Sequence, residues 1–161
     1  MRRLLGLPAL LLLLCALVVP SPAAAASTDS LHLQATYNVD ATFHWIDRQV
    51  NVRSAADVKN TTSSAVDQLA FNLATLRTGH AHVSVVSVDG HSVSPNINDQ
   101  TVLVPLSPAL APGARTIVSI SYTAALATST SGDLFSFAQT GGVMTAYRWI
   151  CLLYTSPSPR D

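Results

Sequence analysis

The sequence predicts an all-β protein, an antiparallel β-sandwich of seven to nine strands that follows an N-terminal targeting segment. Three observations predict this fold class. Apolar and polar residues alternate strictly from Leu31 to Trp45, turn-forming residues recur about every 8 to 12 positions, and no stretch after residue 26 carries a helix-length apolar face. The alternation also indicates that each sheet has one face toward a core and one face toward water.

The first predicted strand gives the strongest of these signals. Its apolar positions are Leu31, Leu33, Ala35, Tyr37, Val39, Ala41, Phe43 and Trp45, and every residue between them is polar. Successive side chains of a β-strand point to opposite faces, whereas a helix would distribute these residues all around its axis. The stretch is therefore predicted to be one long strand, or two strands joined at a bend.

The remaining strands are predicted between turn signals. They lie at 49–59, 68–74, 83–88, 101–106 and 116–123, with two weaker ones at 134–137 and 143–149. Asp89-Gly90 predicts a tight hairpin turn whose return strand carries Val93. Connections are predicted at 60–64, 94–100, 108–113 and 128–132. A short helix could compete within 65–77, where the period-two alternation favours a strand.

Asn60, Thr61 and Thr62 fit two patterns. They match the N-x-[ST] glycosylation sequon, which has a meaning only in a eukaryotic host. They also suit a turn, because Asn and Thr side chains form hydrogen bonds with the nearby backbone. We prefer the interpretation as a turn.

Residues 1–26 are organised like a cleavable secretory signal peptide. Arg2 and Arg3 supply the positive start, residues 4–19 supply an apolar run, and small residues up to Ala26 supply a cleavage site. An uncleaved membrane anchor is the alternative, but Pro8 interrupts the run, which is short for a span of about 20 residues. We expect a secreted, extracellular or cell-envelope protein with no membrane segment after cleavage near Ala26.

The composition argues against several functional classes. Between residues 27 and 150, six Arg or Lys and eight Asp give a net charge of −2 with His neutral, so no nucleic-acid surface is expected. The chain contains no Glu, no two His four residues apart and no G-x-S-x-G elbow, so no catalytic set is predicted. Cys15 lies in the signal peptide, and Cys151 is the other cysteine, so the exported domain has no disulfide pair.

Two groups of residues are candidate binding sites. His80, His82 and His91 could offer three imidazoles to Zn²⁺ or Cu²⁺ if His91 lay across a hairpin; the alternative is a solvated hairpin edge. Five aromatic residues could form a sugar-stacking platform, although the alternation assigns four of them to a core. These five are Tyr37, Phe43, Trp45, Tyr122 and Trp149. We assign no catalytic, cofactor or metal residue.

Residues 151–161 continue none of these patterns. The eleven residues from Cys151 to Asp161 match, in order, one reading frame of a common transposase sequencing adapter. We expect this tail to be an assembly artefact and the natural protein to continue beyond Ile150; the alternative is a genuine Pro/Ser-rich disordered tail. The expected organisation is a signal peptide at 1–26, a β-sandwich domain at 27–150 and an artefactual tail at 151–161.

The order of short motifs in residues 31–150 resembles the N-terminal β-domain of secreted aminopeptidase N-like zinc metallopeptidases. The matching motifs are Tyr37-Asn-Val-Asp40, Leu69-Ala-Phe-Asn-Leu73, Val88-Asp-Gly90, Val104-Pro-Leu106, Leu110-Ala-Pro-Gly113 and Arg148-Trp-Ile150. The resemblance implies a saddle-shaped, immunoglobulin-like sandwich. In that family a following domain carries H-E-x-x-H on a helix and a second Glu downstream. The two His of the motif bind zinc, and its Glu activates the zinc-bound water.

The resemblance therefore implies a truncated, non-catalytic fragment that shapes the cleft of a missing C-terminal catalytic domain. Zinc and a peptide substrate would bind only in the full-length protein. A domain separated from such a partner should expose an apolar patch where the partner packed. The alternative is a free-standing extracellular immunoglobulin-like module that acts in adhesion or carbohydrate binding.

Overall fold

The computed structural model describes residues 33–78, 80–129, 131 and 137–154. Nearly all of the regular structure in these residues is antiparallel β-sheet, which confirms the predicted fold class. A five-stranded and a four-stranded sheet share one apolar core, to which a separate two-stranded hairpin also contributes. The predicted signal peptide at 1–26 and the tail after residue 154 lie outside the described residues.

Eleven strands and one helical turn make up the regular structure of the described residues. The strands are β1 Leu33–His44, β2 Gln49–Asn60, β3 Val66–Asn72, β4 His82–Val88, β5 His91–Ser92, β6 Asn96–Asn98, β7 Thr101–Leu110, β8 Arg115–Ala125, β9 Phe137–Thr140, β10 Val143–Ala146 and β11 Leu152–Leu153, and the helical turn α1 is Thr75–Thr78. The larger sheet has the order β1-β2-β8-β4-β5 and the smaller one β11-β3-β7-β6, while β9 and β10 form the hairpin.

The first two strands form the long hairpin that the alternation predicted. Their pairing runs without a bulge from Leu33 opposite Asn60 to His44 opposite Gln49. The apolar positions of β1 as far as residue 41 pack on the core, and the polar residues between them are exposed. The turn end of the hairpin differs from the prediction, because the last two apolar positions of the alternation are largely exposed there.

The inner faces of both sheets build the core without a disulfide. The larger sheet contributes mainly β-branched residues of β2 and β8 together with Tyr122, and the smaller sheet contributes Leu69 and Phe71 of β3. Burying each such side chain stabilises the fold by roughly 1.5–3 kcal/mol. The largest fully buried side chains are Val50, Val58, Val66, Leu69, Phe71, Leu73, Val102, Val104, Val118, Ile120, Tyr122 and Phe137.

Asp89 and Gly90 form the predicted tight turn between β4 and β5. Both residues have positive φ, 49° and 82°, as a two-residue turn of the type favoured in hairpins requires. The Asp89 carboxylate also accepts hydrogen bonds from the Thr116 hydroxyl at 2.9 Å and the Ile117 amide at 2.8 Å. The turn is thereby fixed to β8 as well as to its own hairpin.

Strand structure extends into two segments predicted as connections. Three residues of the predicted loop 94–100 form β6, which pairs with β7. β7 continues to Leu110, past the predicted end of its strand. A register shift opposite Val66 and Gln68 leaves residues 106–109 without partners on β3. Pro108, which has no amide hydrogen to donate, is tolerated in that bulge.

The beginning of the tail takes part in the fold, contrary to the expectation that residues 151–161 lie outside it. Cys151 and Leu153 are buried, and β11 pairs with the end of β3. The Tyr154 amide donates to the Ala70 carbonyl at 2.7 Å. Apolar side chains at 151 and 153, two positions apart, suit a strand that covers the core. The origin of the eleven residues stays a prediction.

A buried side-chain amide joins the two sheets at one end of the sandwich. Asn60, the last residue of β2, is fully buried, and its Nδ2 donates to the carbonyls of Leu110 and Ser64, both at 2.8 Å. Its Oδ1 accepts from the Thr62 amide at 2.9 Å and the Thr62 hydroxyl at 2.7 Å. Since both amide hydrogens are used inside the protein, the structure supports the turn interpretation of this sequence over the glycosylation sequon.

Replacing Asn60 should destabilise the fold markedly. Asn60→Ala would remove the side-chain hydrogen bonds to the Leu110 and Ser64 carbonyls, so the free energy of unfolding should fall by about 2–3 kcal/mol. Urea denaturation measures this change. Asn98→Ala, which alters an exposed asparagine of β6, should stay within about 0.5 kcal/mol of the unchanged chain. Equal urea midpoints for the two variants would contradict the role given to Asn60.

Candidate functional site

The structure does not bring the three candidate histidines together. His82 begins β4, whereas His91 pairs with Val88 at the other end of that strand. Six residue steps at about 3.3 Å place these two positions roughly 20 Å apart. His80 lies near His82, in the segment just before β4. Within the described residues, no group of three His, Cys, Asp or Glu could hold a metal ion. His91 does lie on the return strand of the hairpin, but at the turn end, so it is far from His80 and His82.

Two tyrosines of the predicted aromatic set hold the segment 149–154, here called the closing segment. The Tyr37 hydroxyl of β1 accepts a hydrogen bond from the Leu153 amide at 2.6 Å. The Tyr122 hydroxyl of β8 donates to the Trp149 carbonyl. Because β11 pairs with β3, this segment runs from one sheet to the other. Tyr37 and Tyr122 therefore serve the fold rather than an exposed sugar platform.

Burial suppresses ionisation beneath the closing segment. Desolvation raises the pKa of the Cys151 thiol from 9.0 to about 12. Desolvation also raises the pKa of Tyr122, with the nearby Cys151 adding to the effect, and it raises the pKa of Tyr37. Thiol chemistry requires the thiolate, so a buried thiol with a raised pKa is chemically inert. Cys151 acts as a small apolar core residue.

The other three aromatic candidates lie at the turn end of the β1–β2 hairpin. Phe43 is 42% exposed and Trp45 is 50% exposed. The rings of Phe43 and Trp149 meet edge to face, with centroids 5.5 Å apart and planes at 73°. Ile46 follows in the turn and is 90% exposed, and Tyr147 precedes Trp149 and is largely exposed. We call Phe43, Trp45, Ile46, Tyr147 and Trp149 the hairpin-end patch.

The hairpin-end patch is the candidate functional surface of this chain. Exposed apolar groups of this kind, when they cluster, commonly mark an interface with another protein or domain. The patch joins the β1–β2 turn to the residues that lead into the closing segment. It offers ring faces and aliphatic surface, and Arg148 stacks over the Tyr147 ring at 5.2 Å. This arrangement is suited to binding another apolar surface.

A second, shallow depression lies on the outer face of the larger sheet. Short polar side chains line it, together with Asp40 and Arg53, which face each other in the register of β1 and β2. The alternation predicts a wetted polar face here. The depression contains no histidine or cysteine and brings no nucleophile next to a base, so it carries no catalytic hypothesis. Its remaining lining residues include Thr42, Asn51, Ser84, Ser121 and Thr123.

Sequence reasoning misses part of the hairpin-end patch. It does not single out Ile46 and Tyr147, and it assigns Phe43 and Trp45 to the core. A signal is present, because Ile46 is an apolar residue in a turn, next to Trp45 and before Asp47 and Arg48. Turn positions normally carry polar residues, so two consecutive large apolar ones indicate a surface that is covered in another state.

No helix in the described part of the chain is long and apolar enough to span a membrane.

Comparison with known proteins gives a result for solved structures only. No protein-family model matches the chain, and no curated protein matches it. Among solved structures, a mutant M1 zinc metallopeptidase from Deinococcus radiodurans superposes with a TM-score of 0.53 at 17% identity, over 68% of this chain and 24% of that one. The M1 zinc metallopeptidase from the same organism gives 0.51 at 18% identity, over 64% and 22%.

A third solved structure has a similar degree of structural likeness. A mutant two-domain M1 zinc metallopeptidase bound to L-tryptophan has a TM-score of 0.51 at 18% identity, over 64% of this chain and 23% of that one. At these identities the likeness establishes the fold. The chain spans about a quarter of the length of these neighbours.

Alkaline pH should weaken the fold through Cys151, Tyr122 and the partly buried Tyr37. The folded chain keeps the thiol proton up to about pH 12, whereas the unfolded chain releases it near the ordinary pKa of 9.0. This contribution to stability is therefore fully present below about pH 9 and is lost as the pH rises toward 12. One such proton contributes a slope of about 1.4 kcal/mol per pH unit. Urea denaturation between these pH values measures the slope.

Cys151→Ala should reduce that slope without abolishing it, because Tyr37 and Tyr122 act with the same sign. Tyr147→Phe alters an exposed tyrosine and serves as the control. If Cys151→Ala left the slope as steep as in the unchanged chain, the thiol would not be the group that titrates.

Proposed function

We propose that the chain is the N-terminal β-domain of an exported aminopeptidase N-like zinc metallopeptidase. The domain contributes no catalytic residue. It shapes one wall of the active-site cleft in a catalytic domain that begins after Ile150. Residues 1–26 direct export and are removed near Ala26, and the parent protein acts outside the cell or in the cell envelope.

The likeness to M1 zinc metallopeptidases carries this proposal. It covers about two thirds of this chain but less than a quarter of each neighbour, as expected if one domain of a larger protein is matched. The order of motifs from Tyr37-Asn-Val-Asp40 to Arg148-Trp-Ile150 supports it independently of the coordinates.

The hairpin-end patch gives the second line of support. A domain separated from its partner should expose apolar surface at the former contact, and this patch includes Tyr147 and Trp149, directly before Ile150. A catalytic domain that begins after Ile150 would lie next to that surface. The patch is therefore proposed as the contact through which the two domains are held in register.

Zinc belongs to the proposed catalytic domain. The donor set of this chain does not fit a peptidase zinc site, because the chain has no Glu and the described residues contain no cluster of ligands. No catalytic step is derived through a metal here. The peptide substrate is proposed for the full-length protein only.

A free-standing extracellular binding module is the second candidate. The exposure of Phe43 and Trp45 at one end of the sandwich favours it, since exposed rings can stack on sugars or pack against a partner protein. The two candidates differ in the sequence they require beyond Ile150. The first requires a catalytic helix, whereas the second requires a stop codon, another β-domain or a cell-wall anchor.

Reading the source DNA past the Ile150 codon tests the proposed function directly. We expect an open frame that continues for a catalytic domain and encodes H-E-x-x-H with a Glu downstream. A natural frame that ends in the eleven residues after Ile150 would overturn the proposal and favour the binding module. The chain itself, with added zinc, should not hydrolyse an aminoacyl anilide, and hydrolysis would show that the chemistry lies within these residues.

Trp45 should become shielded in the longer protein. The chain contains two tryptophans, and in a Trp149→Phe background Trp45 is the only one left, so its fluorescence reports on the patch alone. We expect iodide to quench Trp45 readily in this chain and several-fold less in the longer protein, provided that every tryptophan of the added domain is replaced by Phe. Equal quenching in both would contradict the role of the patch as a domain contact.

Substitutions in the hairpin-end patch, with a control outside it, give a second test of the domain contact. Trp45→Ser with Ile46→Ser should lower the peptidase activity or the melting temperature of the longer protein, because the contact between the domains is lost. Val143→Ser alters an exposed apolar residue outside the patch and should leave both unchanged.

A further inference from the structure

Within the described part of the chain, no strand pairs with the outer edge of β1. β1 is the first strand of the larger sheet and pairs only with β2. Across the described residues, no backbone-to-backbone hydrogen bond links residues 33–44 to anything other than β2. The edge spans twelve residues, and half of its amide and carbonyl groups point away from the sheet. Such a row of unpaired groups is a template for another strand.

The other edges of the two larger sheets are protected in the described residues. β5 and β11, at two other edges, have two residues each, and β6 has three. The part of β4 not covered by β5 contains a register shift between Val83 and Val85, where the Ser84 hydroxyl donates to the Ser121 carbonyl. Short strands and bulges are devices that prevent pairing between edges. Within the described residues, the outermost strands of the two sheets other than β1 are thus short, and β1 is the longest of the edge strands.

β1 itself has none of the features that protect an edge strand from pairing. It contains no Lys, no Pro and no Gly, and its register with β2 is unbroken. Asp40 is its one carboxylate. Tyr37 and Val39, at its centre, are only partly buried, so apolar surface remains next to the open edge. An edge that is long, regular and nearly uncharged favours β-augmentation by a partner strand.

We propose that β1 pairs with β1 of a second copy of this chain, antiparallel, about a two-fold axis through Asn38. Two five-stranded sheets would then join into one continuous sheet across the dimer. Antiparallel self-pairing is isologous, so each contact occurs twice. This inference rests on β1 alone and holds whether or not the proposed function is correct.

The residues of β1 are complementary to themselves in this register. Centred on residue 38, the pairs on the outer face are Gln34 with Thr42, Thr36 with Asp40 and Asn38 with Asn38, and those on the inner face are Leu33 with Phe43, Ala35 with Ala41 and Tyr37 with Val39. Apolar residues are thus paired with apolar residues and polar residues with polar residues. No two like charges lie opposite each other. An aromatic residue opposite a β-branched one is a favourable cross-strand pair.

Registers that keep like faces together have a two-fold axis through one residue of β1, and the axes through Tyr37, Asn38 and Val39 all avoid opposed like charges. Of these three, only the axis through Asn38 places Tyr37 opposite Val39. A shift of one strand by one residue would place the core face of one copy against the outer face of the other. A two-fold axis through Asp40 would place two carboxylates opposite each other, which is destabilising. The axis through Asn38 pairs residues 33–43, nearly the whole strand, without such a conflict.

The test is the oligomeric state of the full chain, expressed in a secreting host, and of two charge variants. Light scattering after size exclusion should show a dimer at about 0.1 mM, where a contact of micromolar affinity is saturated. Asn38→Lys places two like charges at the axis and should raise the dissociation constant about tenfold or more. Asn98→Lys makes the same change on exposed β6, at an edge of the other sheet, and should leave the dimer intact.

Circular dichroism checks that both variants are folded, which is expected because the Asn38 side chain is exposed. A monomeric wild-type chain at that concentration would overturn the proposal. So would an Asn38→Lys variant that dimerises as tightly as the wild type. If Trp45→Ser with Ile46→Ser abolished association and Asn38→Lys did not, the contact would be the hairpin-end patch, and the proposal for β1 would fail.

Cross-linking gives a second readout of the register. In a Cys15→Ser background, Asn38→Cys should form an intermolecular disulfide under mild oxidation, because Cβ atoms opposite each other lie about 4.5–5.5 Å apart. Its yield should exceed that of Asn98→Cys by about tenfold if the axis passes through residue 38. Equal yields from the two variants would overturn the proposed register.

Discussion

The hydrogen bonds of one buried amide, Asn60, tie together parts of the chain that are distant in sequence. Its Nδ2 reaches the Leu110 carbonyl at the end of β7, so β2 of one sheet is joined to β7 of the other. Its own backbone is held by Ala114 and Gly113, which lie in the turn between β7 and β8. Since the described residues contain no disulfide, the sandwich depends on such contacts, because packing alone does not fix how two sheets are placed relative to each other. Each donor and acceptor of this amide is matched, and the interior therefore tolerates it.

The closing segment provides the second link between the sheets. Tyr37 and Tyr122 project from the larger sheet and bind its backbone, while β11 pairs with β3 of the smaller sheet. The segment thereby covers one side of the core with Cys151 and Leu153. It also leads away from the hairpin-end patch, whose Trp149 is both a patch residue and the start of the segment. One part of the surface proposed for partner binding, Tyr147 and Trp149, thus continues directly into the segment that closes the core.

The sequence alone is sufficient for the local features and insufficient for the tertiary ones. The period of two in β1 and the Asp89-Gly90 turn are determined by near neighbours, and the structure confirms both. The alternation does not show where the core stops, so it assigns Phe43 and Trp45 to the interior. Strand β6 has only three residues, all of them exposed, and exists because β7 lies beside it. The separation of His82 from His91 depends on how the hairpin turns, which spacing along the chain does not reveal.

The two tyrosine contacts to the closing segment have a property that distinguishes them from side-chain packing. One hydroxyl binds a main-chain carbonyl and the other a main-chain amide, at Trp149 and Leu153. Every amino acid except proline offers both groups. The route of the closing segment across the sandwich is therefore specified by β1 and β8 rather than by the side chains of the segment itself. These side chains are free to diverge as long as residues 151 and 153 stay apolar.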